Sequence, residues 1–299
     1  SLNVPEVKRL QKYKYQRLYE TLQQSGITTI NNNADCYGLS LILGGCEVTM
    51  WDLAGVYASM ARTLNHQTKN HGKLDENDFH APNYTAAKDP VSGIQHPVSG
   101  IPLDATSIWF AFQAMQDVMR PGAEGLWQQF SSSQKIAWKT GTSFGFRDGW
   151  AIGLTPKNVV AVWVGNTDGE GRPGLVGIQT AAPILFDIFR MLPNTKWWFE
   201  KPTYNFIYVP VCRQSGYRAN IDCPDADTLF MPPNAIKVPL CAYHKIIHLD
   251  ATGTYRVTEA CESPSAMQHK SWFILSPAME FYYKQRNIDY RPLPPFKPG

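Results

Sequence analysis

Lys139-Thr140-Gly141-Thr142 sets a cation, two hydroxyls and a bare glycine inside an otherwise apolar run, "IAWKTGTSFGFRDGWAIGL", residues 136–154. On a strand, Lys139 and Gly141 point to one face, Thr140 and Thr142 to the other. An ammonium and two hydroxyls so placed suit a carboxylate. A glycine inside a strand marks close approach by a ligand or another backbone. At a sheet edge the same strand offers free N–H groups to an extended peptide. The chemistry suggested is a cradle for a peptide carboxylate. A lone Lys-Thr-Gly triplet is more often an exposed edge strand guarded by its lysine, so its partners decide.

The elements that must position this stretch are legible from periodicity. Val4, Val7, Leu10, Leu18 and Leu22 recur at helical steps, which predicts one helix over 4–25, with Asn3 as its cap and Gly26 as its stop. Residues 27–48 read as mostly loop. Thr49 opens a second helix with Asp52 three residues on, in a capping-box-like pattern. Residues 64–103 are polar and broken by prolines, and their histidines have no ligand-like spacing. A third helix is expected from about Ala105 to Arg120, then strands over 135–144, 149–154 and 159–166 with tight connections, and a closing helix over 180–192. The fold class expected is α+β, an antiparallel sheet flanked by helices. After Pro193 the composition turns to Pro, Tyr and Cys. A domain border is placed there, giving 1–193 and a small extension, 194–299. No internal repeat is read.

Composition bounds the rest. The chain has 299 residues, 43% hydrophobic and 18% charged, which suits a globular protein with a real core. A net charge of +3, from 28 basic and 25 acidic residues, gives no basis for nucleic-acid binding. No apolar run approaches the roughly 18 residues of a membrane span. The sequence opens on Ser1-Leu2-Asn3 with neither methionine nor signal peptide, as expected of a fragment or processed product.

Lys-Thr-Gly is one of three elements that serine β-lactamases and penicillin-binding proteins use together, with Ser-x-x-Lys and a serine-aspartate-asparagine element. Ser1-Leu2-Asn3 has the Ser-x-Asn form. Ser132-Ser133-Gln134-Lys135 has the Ser-x-x-Lys form, but a nucleophile needs its lysine one helical turn away. This one runs into the strand of Lys139 and reads as a polar loop. With "SLNVPEV", "LSLILGGCEVTMWDLAGVYASMA", "FSSSQKIAWKTGTSFGFRDGWAIGLTP", "VVAVWVGNTDGEGRPGLVG" and "TAAPILFDIF", the chain resembles the later part of a class A penicillin-binding protein. The resemblance covers about residues 1–193, and more loosely "CRQSGYRANIDCP", "CAYH" and "WFILSPAMEFYYKQ".

That resemblance implies a β-lactamase-like transpeptidase fold and a serine D,D-transpeptidase that cross-links peptidoglycan through an acyl-enzyme. Ser1 would pass a proton and Asn3 would bind the substrate peptide. Lys139 would supply positive field, and Thr140 and Thr142 would hold the donor's terminal carboxylate. The Thr142 N–H would donate to the oxyanion, and Gly141 would let substrate lie close. The implied partners are peptidoglycan stem peptides, lipid-linked precursors and, in the intact protein, β-lactam antibiotics. The implied place is the periplasm, with an inner-membrane anchor and a glycosyltransferase upstream. No cofactor and no metal are expected. The nucleophilic Ser-x-x-Lys precedes the second motif in this family, so it falls outside the sequence and the chain alone is expected to be inactive. The rival readings are a non-catalytic module binding cell-wall peptides or partner proteins, and a β-lactamase-like hydrolase. An exposed apolar face of the incomplete domain would favour a homodimer.

Six cysteines are present. Cys212, Cys223, Cys241 and Cys261 fall in the extension, where disulfides Cys212–Cys223 and Cys241–Cys261 close the shorter loops. Free thiols and zinc remain alternatives; His244 follows Cys241 by three residues, but paired C-x-x-C elements are missing.

Overall fold

The computed structural model describes residues 3–70, 72–84, 103–118, 134–204 and 206–298. The chain divides into two compact units, 1–204 and 205–299. The first extends past residue 193 because Phe199 is buried against Phe112, ring centroids 5.6 Å apart.

In the first unit the expected single helix is two, α1 (Asn3–Tyr13) and α2 (Tyr15–Ser25). Lys14 between them takes a left-handed φ of 76°, which breaks the helical bond pattern where no glycine or proline announces it. Gly26, at φ 106°, ends α2 as expected. Residues 27–48 hold more order than a loop. They contain α3 (Ala34–Tyr37), whose cap Asn33 accepts from the Asp35 N–H, and a 3-10 turn at Gly38–Leu43. Ile27, Ile30, Tyr37 and Leu41 form a small core there with Leu18 and Leu22. α4 (Met50–Lys69) starts where its cap predicted, with Thr49 Oγ1 accepting from the Asp52 N–H at 3.0 Å. α5 covers Ala105–Gln116; the expected end at Arg120 lies outside the described residues.

Three strands follow, β1 (Ala137–Thr142), β2 (Asp148–Leu154) and β3 (Val159–Gly165), paired antiparallel in the order β1-β2-β3. α6 (Gly177–Met191) packs on one face of this sheet, burying Trp138, Ala151, Val160 and Val162 against Ala181, Leu185 and Phe189. The other face meets α4 and α5, with Ala137 and Leu154 among Leu64, Ile108 and Phe112. The first unit is thus an antiparallel sheet between helical layers, the α+β class expected.

The second unit pairs β4 (Ile207–Cys212) with β5 (Ala226–Met231), and β6 (His244–Leu249) with β7 (Gln268–Phe273). α7 (Pro277–Lys284) follows. The reading of no internal repeat is corrected here. After β4, Gly216 N donates to Cys212 O at 2.9 Å and Cys212 N to Tyr217 O at 2.8 Å. After β6, Gly253 N donates to Asp250 O at 2.9 Å and Asp250 N to Tyr255 O at 3.0 Å. Gly216 and Gly253 both sit at left-handed φ, 71° and 75°. Arg218 bridges Val211 and Leu240; Arg256 bridges Leu249 and Phe296. Each arginine also sets its Nε on a carbonyl, Val238 O or Pro294 O. Cys223 N then bonds Asn220 O, and Cys261 N bonds Thr258 O. Cys212, Tyr217, Arg218, Asn220 and Cys223 match Asp250, Tyr255, Arg256, Thr258 and Cys261 at one constant interval. The turn glycines fall one residue short of it, and the partners Leu240 and Phe296 lie further apart. Tyr217-Arg218 and Tyr255-Arg256 are the trace of the repeat in the sequence.

Candidate functional site

Trp138 determines which way the Lys-Thr-Gly stretch faces. Its indole is fully buried against α6, with the Phe186 ring edge-on at 4.9 Å and Nε1 donating to Val118 O at 3.2 Å. Alternation then turns Thr140 and Thr142 toward the α6 side, and Lys139 and Gly141 toward the α5 side. Thr142 agrees: its Oγ1 accepts from the Gly177 N–H at 3.0 Å, at the start of α6.

The direction of the backbone groups follows from the turn. Ser143 N donates to Asp148 O at 3.0 Å, making Ser143 and Asp148 a bonded pair. Along the register the bonded pairs alternate, so Gly141↔Trp150 and Lys139↔Ile152 bond across the hairpin. The N–H and C=O groups of Thr140 and Thr142 therefore point away from β2. β1 is an edge of its sheet among the described residues, so these groups face an open margin. The half-buried Lys139 ammonium donates to the outward Thr140 carbonyl. Burial holds its pKa below the ordinary lysine value. The result is a row of two outward N–H groups, a cation, and a Thr142 hydroxyl whose oxygen is already occupied by Gly177 and whose proton is left to donate.

Gly177 was not singled out from sequence, where the closing helix was started at Thr180. A Cβ there would collide with Gly141 O and lie 2.6 Å from Trp150 O. The bare Cα lets the first turn of α6 rest directly on β1 and β2. Gly141 differs: a Cβ would meet only Trp150 Cβ, at an ordinary 3.5 Å. Gly141→Ala should therefore change stability by less than about 1 kcal/mol, whereas Gly177→Ala should cost about 1–3 kcal/mol through overpacking against backbone. Urea unfolding of the two variants checks this. A larger loss at Gly141 would mean that packing, and not an approaching ligand, requires that glycine.

Ser1 lies outside the described residues, as do Ser132 and Ser133. Asn3 is the exposed first residue of α1. No hydrogen bond joins Asn3 to β1 among the described residues. The Asp148 carboxylate accepts from Trp163 Nε1 at 2.9 Å, and no ion pair with Arg147 occurs among the described residues.

The two expected disulfides are not formed. Cys212, Cys223, Cys241 and Cys261, like Cys36 and Cys46, are free thiols. The physical reason is convergence: Cys212, Cys223 and Cys241 gather on one imidazole, their Sγ atoms 3.4, 3.5 and 3.5 Å from His244 Nδ1. Cys261 belongs to the other repeat, exposed and bonded to Thr258. Burial pushes the Cys223 thiol up to about 11. Burial acts on Cys241 too, but hydrogen bonds from Ser215, His244 and the Tyr243 backbone outweigh it and bring that thiol down to about 6.

The chain is 30% identical over 192 residues, 64% of its length, to penicillin-binding protein 1C of Escherichia coli (strain K12), of which this covers 22%. It is related to the class A penicillin-binding proteins. Penicillin-binding protein 1B of Buchnera aphidicola is 24% identical over 170 residues, 57% of this chain and 21% of that protein. Penicillin-binding protein 1A of Neisseria gonorrhoeae is 30% identical over 157 residues, 51% and 18% of the two chains. The chain thus spans about a fifth of the length of these relatives. The crystal structure of penicillin-binding protein 1A from Haemophilus influenzae shares the fold, with a TM-score of 0.51 and 17% identity over 78% of this chain and 38% of that one. No family model matches. No helix among the described residues is long and apolar enough to cross a membrane.

Proposed function

We propose that the first unit is the later part of a serine D,D-transpeptidase domain in a bifunctional, membrane-anchored cell-wall synthase working in the periplasm. The observation that carries this is the open margin of β1, where outward N–H groups of Thr140 and Thr142 stand beside a half-buried ammonium.

A peptidoglycan stem peptide would lie along that margin as an added strand. Its terminal carboxylate would take the Thr140 and Thr142 hydroxyls, in the field of Lys139. The Thr142 N–H would donate to the oxyanion formed when a serine attacks the penultimate D-alanine carbonyl. D-alanine would leave, and an amine of a neighbouring stem peptide would resolve the acyl-enzyme. Ser1 would relay the proton, and the Asn3 amide would hold the donor peptide. β-Lactams would acylate the same serine. That serine belongs to a Ser-x-x-Lys helix upstream; in the string Ser132 to Lys135 the lysine stands just ahead of β1.

The test is labelling with a fluorescent penicillin. A polypeptide joining residues 1–299 to the upstream Ser-x-x-Lys half of a class A relative should label. Residues 1–299 alone should not. Labelling of the chain alone that vanishes in Ser132→Ala would move the nucleophile to Ser132 and overturn this assignment.

A further inference from the structure

The second unit carries a site of its own. Cys212 Sγ, Cys223 Sγ, Cys241 Sγ and a nitrogen of His244 all lie within 4.8 Å of one another. Cys212, Cys241 and His244 are buried. A tetrahedron with metal–sulfur bonds of about 2.3 Å and a metal–nitrogen bond of about 2.0 Å has sulfur–nitrogen edges of about 3.5 Å. The three observed edges are 3.4, 3.5 and 3.5 Å. The three sulfur–nitrogen edges thus match those of a zinc-sized tetrahedron, and all four ligand atoms lie within 4.8 Å of one another.

The surroundings are those of a held ligand set. His244 Nε2–H donates to Gln214 Oε1 at 2.7 Å, which leaves the Nδ1 lone pair facing the sulfurs. Ser215 Oγ donates to Cys241 Sγ at 3.2 Å, and the Asn220 N–H to Cys223 Sγ at 3.4 Å. Asn220 Nδ2 binds the carbonyls of Cys241 and His244 at 2.7 and 3.3 Å and its Oδ1 accepts from Cys223 Sγ at 3.2 Å, so one side chain ties the Cys223 loop to the Cys241–His244 segment.

The second repeat supplies an independent observation. Lys297 N bonds Arg256 O at 3.0 Å just as Cys241 N bonds Arg218 O at 2.7 Å, so Lys297 stands where Cys241 does. Asp250 stands where Cys212 does, and Cys261 where Cys223 does. The Lys297 ammonium pairs with Glu262 at 3.2 Å. Where the second copy has a built-in cation, the first has three thiols and an imidazole.

We propose that Cys212, Cys223, Cys241 and His244 bind one zinc ion in a closed tetrahedral site that staples the β4–β5 repeat to β6. Three thiols and one imidazole favour zinc over harder cations. Four protein ligands leave no open position, so the ion is structural rather than catalytic. Binding displaces the thiol protons to solvent.

The test uses the full chain, purified under reducing conditions and dialysed. Elemental analysis should find one zinc per chain. X-ray absorption should show three sulfurs at about 2.3 Å and one nitrogen at about 2.0 Å. Cobalt substitution should give the intense visible bands of a tetrahedral thiolate site. Cys212→Ser and Cys241→Ser should lose the metal, Gln214→Leu should weaken binding about 10-fold, and Cys261→Ser should keep full stoichiometry. A metal-free wild-type chain that stays so in excess zinc would overturn the proposal. So would zinc retained in Cys212→Ser, or a Cys212–Cys223 bridge found by non-reducing peptide mapping.

Discussion

Trp138→Ala should cost the chain about 3–5 kcal/mol, the range for removing a large aromatic from a packed core. The indole is fully buried at the α6 interface, its ring edge-on to Phe186 and packed in a cluster of other buried side chains. Val118 O also loses its donor. Trp138→Phe should recover part of the loss, because it restores ring packing and not the hydrogen bond. Urea unfolding followed by far-ultraviolet circular dichroism, which reports the helices of the first unit, measures both. The consequence reaches the candidate site. A strand slipped by one residue exchanges its two faces, and the buried indole is what prevents Lys139 from turning into the α6 core. A loss below about 1 kcal/mol would mean that β1 is not clamped on α6, and the geometry of the cradle would fall with it.

Lys139→Ala should slow penicillin acylation about 10²–10³-fold in a polypeptide that joins this segment to an upstream Ser-x-x-Lys half, the effect of losing one preorganised charge-stabilising donor. Stability should change little, since the ammonium bonds only an edge carbonyl among the described residues. Lys139→Arg keeps the charge but brings a broad planar fork in place of a compact ammonium, so it should rescue in part. The pH profile gives a second reading. Burial lowers the Lys139 pKa from 10.5, so the cation is lost at a lower pH than a free lysine's. Acylation should therefore decline as pH rises while still below 10.5, and this alkaline limb should vanish in Lys139→Arg, which stays charged. Acylation unchanged in Lys139→Ala would remove the lysine from the site.

The local part of this molecule was legible because its signals lie within a few residues of one another. Thr49 and Asp52 announce the start of α4, and short β-rich runs with tight turns announce β1, β2 and β3 in register. The quartet at 139–142 is likewise a local string, and its alternation told which side chains share a face. Tertiary packing decided the rest. Lys14 breaks a helix whose apolar steps continue from Val4 to Leu22, at a positive φ that no glycine or proline announces. Gly177 matters only once α6 lies on β1, and the outward aim of the Thr140 and Thr142 N–H groups depends on which pairs bond across a hairpin. The cysteines make the point most plainly. Spacing favoured bridges between cysteines near in sequence, but folding of the second unit brings Cys212, Cys223 and Cys241 to a single histidine, and three-dimensional distance governs which sulfurs meet. The duplication behind that arrangement is written mainly in backbone hydrogen bonds, which many side chains can satisfy, so it left little mark on the amino-acid string.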